Sequence, residues 1–494
     1  MNDWLIGLEA VLTWQPLFFM VLGVAAGIAV GAIPGLTATM AIAVVLPFTF
    51  AMDPLPGIMM LLGLYSSAVY AGSIPAILMR LPGTPASAAT ALDGYALTQR
   101  GRGGEALMIS LVATFVGALI GGIALALFAP YLAGIAVNLG AAEYAMIALF
   151  AIAIIGAMSE GALAKGLISG VLGLLIATVG IDPIDGYARF TFGSSDLRSG
   201  LDFIPILIGI FGVAEAFRQF EKRAGVARVG SSNALGKYSI RHVWRRLVPG
   251  VPYSSVLGFG VGVLPGTGGD IGAFIGHNEV RRISRDSGRF GKGDPRGLAA
   301  AESANNAAVP GTIAPTIVLG IPGNSAAAVL IGAITVHGLR PGPQLFEGSP
   351  DLVYGIFWSL LFIPFVMLII GLVGIQFWGR IISIPRQYLW PSVLALSVIG
   401  SYALRGSVFD VMVMTCAGVL GFAMHKGGFP VAPLIIGLIV GPIAETNFRR
   451  ATILDGGGYG WMLEPLPLLV LVLGLATLVF PIINTWRRKR VGTR

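Results

Sequence analysis

The sequence predicts an all-α polytopic membrane protein, because it is poor in charge, contains long apolar segments and carries its basic residues in short runs. Of its 494 residues, 55% are hydrophobic and 11% are charged, whereas a soluble domain carries about 25% charged residues. A chain of this composition cannot cover a water-facing surface. Apolar stretches such as 356–375 reach the roughly 20 residues that cross a bilayer, and we expect about 10 to 14 membrane segments.

The basic residues indicate which ends of these segments face the cytoplasm. They concentrate in runs at 218–246, 281–296 and 487–490, a pattern typical of cytoplasmic loops. The net charge of +8 is therefore a topology signal and not a nucleic-acid signal. We expect the C-terminus to be cytoplasmic and most of the remaining chain to face the lipid bilayer.

Two motifs occur twice, in the same order. The string GAIPGLTAT (31–39) matches GVLPGTGGD (262–270), and IPAILMRLPGTPASA (74–88) matches APTIVLGIPGNSAAA (314–328). The repetition predicts a duplicated architecture. Chance is the alternative, because the chain holds 70 glycines and 30 prolines.

The charges that flank the two copies indicate opposite orientations. Segment 247–280 has basic runs on both sides, yet it is too short for two full spans, which need roughly 40 residues. We interpret it as a re-entrant hairpin with its tip at 265–269. Its first-half counterpart has acidic flanks and no Lys or Arg, so its ends are expected on the other side. Inverted repeats with broken helices are a recurrent plan of secondary transporters, and we expect an elevator-type arrangement.

The predicted domain boundaries follow from this organisation. They are a first membrane repeat at 1–217, a cytoplasmic basic linker at 218–247, a second membrane repeat at 248–486 and a basic cytoplasmic tail at 487–494.

Four Pro-Gly pairs interrupt apolar segments and are followed by small polar residues. Proline lacks an N–H and glycine tolerates most backbone angles, so each pair predicts a broken helix. A break in lipid needs polar partners for the freed backbone groups. The candidate substrate-binding residues of these segments are Pro34, Gly35, Thr37 and Thr39; Gly83 and Thr84; Pro265, Gly266, Thr267, Gly268 and Gly269; and Gly323, Asn324 and Ser325.

These breaks predict four half-helix N-termini with free N–H groups. Such ends attract anions, because their donors and the helix dipole both favour negative charge. Carboxylate groups of a substrate would suit them. The alternative is that the Pro-Gly pairs only kink transmembrane helices, which is common.

A third cluster lies in GLAAAESANNAAVPG (297–311). Glu302, Asn305 and Asn306 share one helix face by their spacing, and they could bind a substrate or coordinate Na⁺ through oxygen atoms. A structural polar network is the alternative. Asp270 directly follows PGTGG. Asp270 and Glu302 are the two candidate ion-coupling residues. Asp93 is either a further buried acid or part of a surface turn.

Other chemistries find no support in the sequence. Cys416 is the one cysteine, and no His or Cys spacing indicates a metal site. We find no G-x-x-x-x-G-K-[ST], H-E-x-x-H or G-x-S-x-G, which argues against ATP-driven transport and against a membrane hydrolase. We therefore expect no enzyme activity and no cofactor other than a coupling ion, Na⁺ or H⁺.

Long strings of the chain are similar to one known family. GAIPGLTATMAIAVVLPFTF, YAGSIPAILMRLPGTPASAATALDGYALTQRGRGGEAL, LPGTGG and the segment from FGKGDPRGLAAAESANNAAVPG to GLRPGP resemble the large membrane subunit of the tripartite tricarboxylate transporter family. The likeness extends from about residue 20 to about residue 450.

The resemblance implies a three-component importer of the bacterial inner membrane, driven by an ion gradient. The chain would form the translocation path beside a small four-helix membrane subunit, and a periplasmic solute-binding protein would deliver citrate or another tri- or dicarboxylate. The family-like positions are the four Pro-Gly loops and the ESANN segment. A homo-oligomer is possible, and a passive anion channel or pore is the alternative function.

Overall fold

The computed structural model describes residues 2–157, 163–221, 250–264, 268–374 and 386–491, and almost all regular structure in this part of the chain is helical. The helices are α1 Asn2–Val11, α2 Trp14–Gly31, α3 Ala38–Val45, α4 Pro54–Ala71, α5 Ser73–Met79, α6 Ser87–Gln99, α7 Gly103–Ala136, α8 Ala141–Ala157, α9 Leu163–Ala177, α10 Ser195–Arg198, α11 Phe203–Ile208, α12 Ala214–Glu221, α13 Val251–Val263, α14 Gly268–Ile283, α15 Pro295–Leu319, α16 Ser325–Val336, α17 Gln344–Gly348, α18 Pro350–Gly374, α19 Arg386–Arg405, α20 Val408–Lys426, α21 Val431–Leu454 and α22 Pro465–Val491. Short 3-10 turns lie at Leu46–Thr49, Ser287–Arg289 and Gly460–Leu463, and a π-helical turn, Gly209–Val213, joins α11 to α12. Strands β1 (Gly180–Ile181) and β2 (Ala188–Arg189) form an antiparallel pair with Gly180 opposite Arg189.

Several helices are long and apolar enough to cross a membrane. Among the described residues there are seven: Trp14–Gly31, Pro54–Met79, Gly103–Ala136, Phe203–Glu221, Pro350–Gly374, Val408–Lys426 and Val431–Leu454. Shorter apolar helices accompany them, as expected of a chain with interrupted segments. The predicted class, an all-α polytopic membrane protein, is confirmed. The total of about 10 to 14 segments, the inverted repeats, the re-entrant hairpins and the elevator arrangement stay predictions.

The chain packs as two compact units. Unit 1 comprises Met1–Ala133 and Ala216–Leu404, and unit 2 comprises Gly134–Glu215 and Arg405–Arg494. Each unit takes residues from both halves of the sequence. The units describe packing and not repetition, so the boundaries predicted from the repeats and the basic runs stay predictions. The linker at 218–247 and the tail at 487–494 lie largely outside the described residues.

Helix α15 is, like α4, a buried helix of unit 1. Asp294 caps its N-terminus by accepting a hydrogen bond from the backbone N–H of Arg296 (2.9 Å), and Pro295 suits the first helical position. Every residue from Gly297 to Val318 is buried. The helix ends at Gly320, whose left-handed backbone (φ 69°) is a common helix stop.

Small residues let neighbouring helices approach α15 from two sides. A β-carbon added at Gly117 of α7 would lie 2.7 Å from the Cα of Ser303, and one added at Gly258 of α13 would lie 2.6 Å from the Cα of Ala304. No side chain fits at these distances. Packing of this kind, through small residues, is how helices associate in lipid.

In unit 2, helix α21 packs against α8 and α9, and ion pairs tie it to the β1–β2 hairpin. Arg189 reaches Glu445 (2.5 Å), and Arg449 reaches Asp182 (2.7 Å). The backbone N–H of Asp185 (2.8 Å), assisted by Arg449, lowers the pKa of Asp182 to about 2. The hairpin is therefore braced on the helix by charge.

The close approach of α13 to α15 makes a testable prediction. Replacing Gly258 with Ala is expected to lower the free energy of unfolding by about 1–3 kcal/mol through overpacking, although alanine favours a helix more than glycine does. Gly260, on the same helix, has no atom within 4 Å of an added β-carbon, so Gly260→Ala is the matched control and should not destabilise. Thermal unfolding in detergent measures both variants. Equal stability of the two would contradict the packing argument.

Candidate functional site

The first helix break lies between α2 and α3. Gly35 has a left-handed backbone (φ 96°), and the Thr37 hydroxyl accepts a hydrogen bond from the N–H of Met40 (3.2 Å), which caps α3. Pro34 lies within the break, and Thr39 lies in the first turn of α3. A helix therefore begins just after this Pro-Gly pair.

The second break lies between α5 and α6. The N–H of Thr84 donates to the Ser87 hydroxyl (3.0 Å), and the N–H of Ser87 donates to the Thr84 hydroxyl (3.3 Å). The N–H of Gly83 donates to the carbonyl of Gly72 (3.2 Å). The freed backbone groups are thus satisfied locally, as a break inside a membrane protein requires.

The fourth break lies between α15 and α16. The Asn324 side-chain oxygen caps α16 by accepting from the N–H of Ala327 (2.8 Å), directly before Ser325 begins the helix. The N–H of Gly323 donates to the Thr316 hydroxyl (3.3 Å). The Asn324 amide nitrogen donates to the hydroxyl of Tyr65 (2.7 Å), so this break is joined to α4.

The third break separates α13 from α14. Pro265, Gly266 and Thr267 lie outside the described residues, and α14 begins at Gly268. A β-carbon added at Gly268 would lie 3.3 Å from that of Asn324. The third and fourth breaks are therefore neighbours.

The first and second breaks are neighbours in the same way. A β-carbon added at Gly83 would lie 3.4 Å from the carbonyl oxygen of Gly31, the last residue of α2. A hydrogen bond joins the two pairs of breaks, because the carboxylate of Asp270 accepts from the N–H of Ala86 (3.2 Å). Gly35 lies apart from this contact and faces the side-chain amide of Gln219. The candidate residues that the structure describes thus lie in two adjoining groups.

Asn305 stands where α14 begins. It is 1% exposed, and its side-chain oxygen lies against Gly269. Its side-chain nitrogen has no hydrogen-bond partner among the described residues. A buried donor without a partner is costly. This donor lies beside the N-terminus of α14, where N–H groups favour an anion.

Glu302, one turn before Asn305 on α15, is completely buried. Its carboxylate accepts hydrogen bonds from three hydroxyl groups, those of Thr90, Ser110 (3.1 Å) and Thr114 (3.2 Å). All of these partners are neutral. A buried carboxylate with neutral partners is expensive to keep ionised, so the ring of oxygen atoms suits a proton or a small cation.

Asn306 completes the ring. Its amide nitrogen donates to the Thr114 hydroxyl (2.9 Å) and to the backbone carbonyl of Glu302 (2.9 Å). Asn306 therefore supports the Glu302 site, whereas Asn305 faces α14. The three residues of the ESANN segment separate into an anion-favouring position and a cation-favouring position.

Asp93 is buried, so the interpretation of this acid as part of a surface turn is wrong. Its carboxylate meets the ring nitrogen Nε2 of His277 (2.9 Å) and accepts from the N–H groups of Gly293 and Asp294 (both 2.8 Å). It fixes the loop before α15 and lies outside the two groups described above.

Sequence reasoning missed four residues of the site. They are Tyr65 of α4, Thr90 of α6, and Ser110 and Thr114 of α7. The available signal was a hydroxyl side chain within a membrane helix, and the same helices carry others, such as Ser66 and Ser67 of α4. Such residues are common in membrane helices, where they bond to their own backbone, so the signal does not distinguish a ligand from a structural residue.

Broken helices that meet around buried polar side chains, within a polytopic helical protein, are typical of secondary transporters. The chain belongs to the tripartite tricarboxylate transporter TctA family, whose sequence profile matches residues 17–436. The resemblance noted from the motifs is thereby confirmed.

Two relatives come from Agrobacterium vitis. One is the 52.8 kDa protein in the TAR-I ttuC' 3' region, 35% identical over 486 residues, which are 98% of this chain and 97% of the relative. The other is a protein in the TAR-II ttuC' 3' region, 32% identical over 231 residues, which are 47% of this chain and 96% of the relative. No solved structure matches the chain.

The hydroxyl of Tyr65 makes a testable prediction, because it bonds both Asn324 and Thr312 (3.3 Å). Tyr65→Phe is expected to cost about 1 kcal/mol of unfolding free energy for each lost hydrogen bond. Tyr70, on the same helix, has a buried hydroxyl with no hydrogen-bond partner among the described residues. Tyr70→Phe is the control and should be neutral or stabilising. Thermal unfolding in detergent distinguishes the two, and a destabilised Tyr70→Phe beside an unaffected Tyr65→Phe would refute the assignment.

Proposed function

We propose that the chain is the large translocation subunit of a three-component importer of small carboxylates, such as citrate or other tri- and dicarboxylates. An ion gradient drives it, and a periplasmic solute-binding protein supplies the substrate beside a small membrane subunit. Family membership supports the transporter class. The observation that carries the mechanism is the adjacency, on α15, of two buried groups. One is the Asn305 side-chain nitrogen, which has no hydrogen-bond partner among the described residues, and the other is the Glu302 carboxylate.

In the proposed mechanism, a substrate carboxylate binds at the beginning of α14. The N–H groups of the first turn and the Asn305 amide nitrogen donate to it, and Asn324 lies next to Gly268 at the same place. Helix N-termini and amide donors recognise carboxylates without a fixed positive charge. Binding of this kind is readily reversed, as a transporter requires.

The coupling ion binds at Glu302 in this proposal, either as a proton on the carboxylate or as Na⁺ among its oxygen ligands. The hydroxyls of Ser110 and Thr114 would turn from donors into ligands. Asp270 is the second ion-coupling candidate, and its contact with Ala86 would make its charge sensitive to movement between the two pairs of breaks. The ion offsets the charge of the substrate, which could not otherwise cross a low-dielectric core at acceptable cost.

The direction of transport follows from the charged runs. Span Phe203–Glu221 leads into the basic run at 218–246, so its beginning is expected in the periplasm. Helix α22 ends in the basic run at 487–490, so its beginning is expected there too. The two inferences agree. The β1–β2 hairpin precedes the span Phe203–Glu221, and ion pairs join this hairpin to the last part of α21, which leads into α22. We propose that the binding protein approaches from this side.

Uptake by proteoliposomes tests the proposed function. With the reconstituted complex, binding protein outside and a Na⁺ or H⁺ gradient imposed in turn, labelled citrate uptake should be saturable and should require one gradient. Glu302→Gln, which keeps the shape of the side chain and removes its charge, is expected to reduce gradient-driven uptake at least about tenfold, the equivalent of about 1.4 kcal/mol.

Glu279→Gln is the control, because Glu279 is a partly exposed carboxylate paired with Arg282 (2.6 Å). Gradient-dependent uptake that survives in Glu302→Gln would remove the ion role of Glu302. Citrate flux that is independent of both ion gradients and needs no binding protein would favour a passive anion pore. Uptake of another carboxylate in place of citrate would keep the mechanism and change the substrate.

The proposed topology is tested by cysteine labelling. Cys416→Ser yields a chain without cysteine, into which Ser195→Cys or Ser287→Cys is introduced, both at exposed positions. A membrane-impermeant maleimide should label Ser195→Cys in cells with a permeable outer membrane. It should label Ser287→Cys only after the inner membrane is opened. The reverse pattern would invert the proposed direction of transport.

A further inference from the structure

A strongly basic cavity lies in unit 1, away from the helix breaks. Its volume is about 510 Å³, and it forms where α6 ends, α7 begins and the loop before α15 passes. Four cationic side chains line it, those of Arg100, Arg102, Arg289 and Lys292, together with Asp294. The candidate transport residues lie at the opposite end of α6 and further along α15, so this cavity is a separate feature.

Ion pairs leave much of the positive charge of this cavity uncompensated. Arg102 is held by Glu105 (2.6 Å), and Asp294 is held by Arg296 (2.8 Å). Neither Arg100 nor Lys292 forms an ion pair with any of the residues described. The charge is therefore available to an incoming anion.

Arg289 is the third of the four lining cations whose charge is little compensated by ion pairs. Its guanidinium approaches Asp286 only to 4.0 Å, and its side chain is 76% exposed, so that pair contributes little. The lining thus offers two guanidinium groups with little or no pairing and an ammonium group within one concave surface. Such a set matches the charge and the several acceptor oxygens of a phosphate group.

Buried hydrogen bonds fix the backbone that lines the cavity at Gly293 and Asp294. The buried Asp93 carboxylate binds the N–H groups of Gly293 and Asp294 (both 2.8 Å). Arg100 rests on Gly293, where an added β-carbon would lie 3.2 Å from its guanidinium nitrogen Nη1. Gly293 has a left-handed backbone (φ 93°), so other residues are doubly disfavoured there. The loop and its cations are preorganised.

The location suggests the source of the anion. Helix α7, the longest of the candidate spans, begins at Gly103, directly after Arg102. The run 281–296 is expected on the cytoplasmic side. The cavity then lies at the depth of the cytoplasmic lipid headgroups, where phosphate is the abundant anion and where basic pockets between spans bind anionic lipids.

We propose that this cavity binds the phosphate group of an anionic ligand, supplied either by an anionic phospholipid of the cytoplasmic leaflet or by a soluble phosphate compound. The site goes beyond the proposed function. It does not depend on which carboxylate is transported or on which ion drives transport.

Ligand-induced stabilisation tests the proposal. Full-length protein in zwitterionic detergent is titrated separately with short-chain phosphatidylglycerol, short-chain phosphatidylcholine, inorganic phosphate and citrate, and the unfolding temperature gives an apparent affinity. Phosphatidylglycerol is expected to stabilise the protein and phosphatidylcholine is not. Stabilisation by inorganic phosphate as well identifies a soluble source, and its absence identifies the lipid headgroup.

Two double variants with the same change of charge provide the decisive comparison. Arg100→Gln/Lys292→Gln removes two cations of the cavity and should weaken the phosphate-bearing ligand about thirtyfold. Arg281→Gln/Arg285→Gln removes two exposed cations that do not line the cavity, and it should change the affinity less than about twofold. Unfolding without ligand verifies that both variants fold. Equal losses in the two variants, no stabilisation by either phosphate source, or tighter binding of citrate than of either would overturn the proposal.

Discussion

The architecture of unit 1 depends on a carboxylate, that of Glu302, which is completely buried among hydroxyl groups. Burying such a group is expensive unless donors surround it. Ser110 and Thr114 reach it from α7 because Gly117, further along α7, lets that helix touch the backbone of Ser303. The small residues around α15 therefore have two consequences at once. They bring helices together in the absence of a strong hydrophobic force in lipid, and they bring oxygen atoms within hydrogen-bonding distance of the carboxylate.

The helix breaks obey the same constraint of satisfying polar groups inside an apolar body. At each break whose residues are described, hydroxyl or amide side chains bind the first N–H groups of the next helix, as Thr37 and Asn324 do. Several buried side-chain atoms have no partner in the part of the chain that the structure describes, among them the Tyr70 hydroxyl and the Asn305 side-chain nitrogen. The Asn305 nitrogen lies beside the beginning of α14, where N–H groups favour an anion. The proposed substrate would give this buried donor a partner.

How much of this could be predicted from sequence depended on whether the signal was local. The four breaks were predictable because Pro-Gly in an apolar run has a local backbone consequence, and α3, α6, α14 and α16 begin just after those pairs. Helical spacing predicted one shared face for Glu302, Asn305 and Asn306, but the structure separates Asn305, which faces α14, from Glu302 and Asn306. The partners of Glu302 could not be predicted, because Thr90 and Ser110 are 212 and 192 residues distant in sequence. A hydroxyl residue in a helix does not indicate by itself which side chain it contacts. The division into two packed units was equally invisible, because each unit combines segments from both halves of the chain.

The proximity of the two positions on α15 gives the proposed coupling an electrostatic cause. Residues three apart on a helix are neighbours, so a substrate carboxylate at Asn305 and an ionised Glu302 would repel each other. For charges roughly 8 Å apart at an effective dielectric constant of about 20, the repulsion is about 2 kcal/mol. A proton or Na⁺ at Glu302 removes that repulsion and tightens substrate binding by roughly thirtyfold. Because linkage is reciprocal, bound substrate tightens ion binding by the same factor. Each ligand then favours the arrival of the other. Of the two substrate-bound complexes, the one that also holds the ion carries less negative charge, and it is the one that we propose to move through a low-dielectric core.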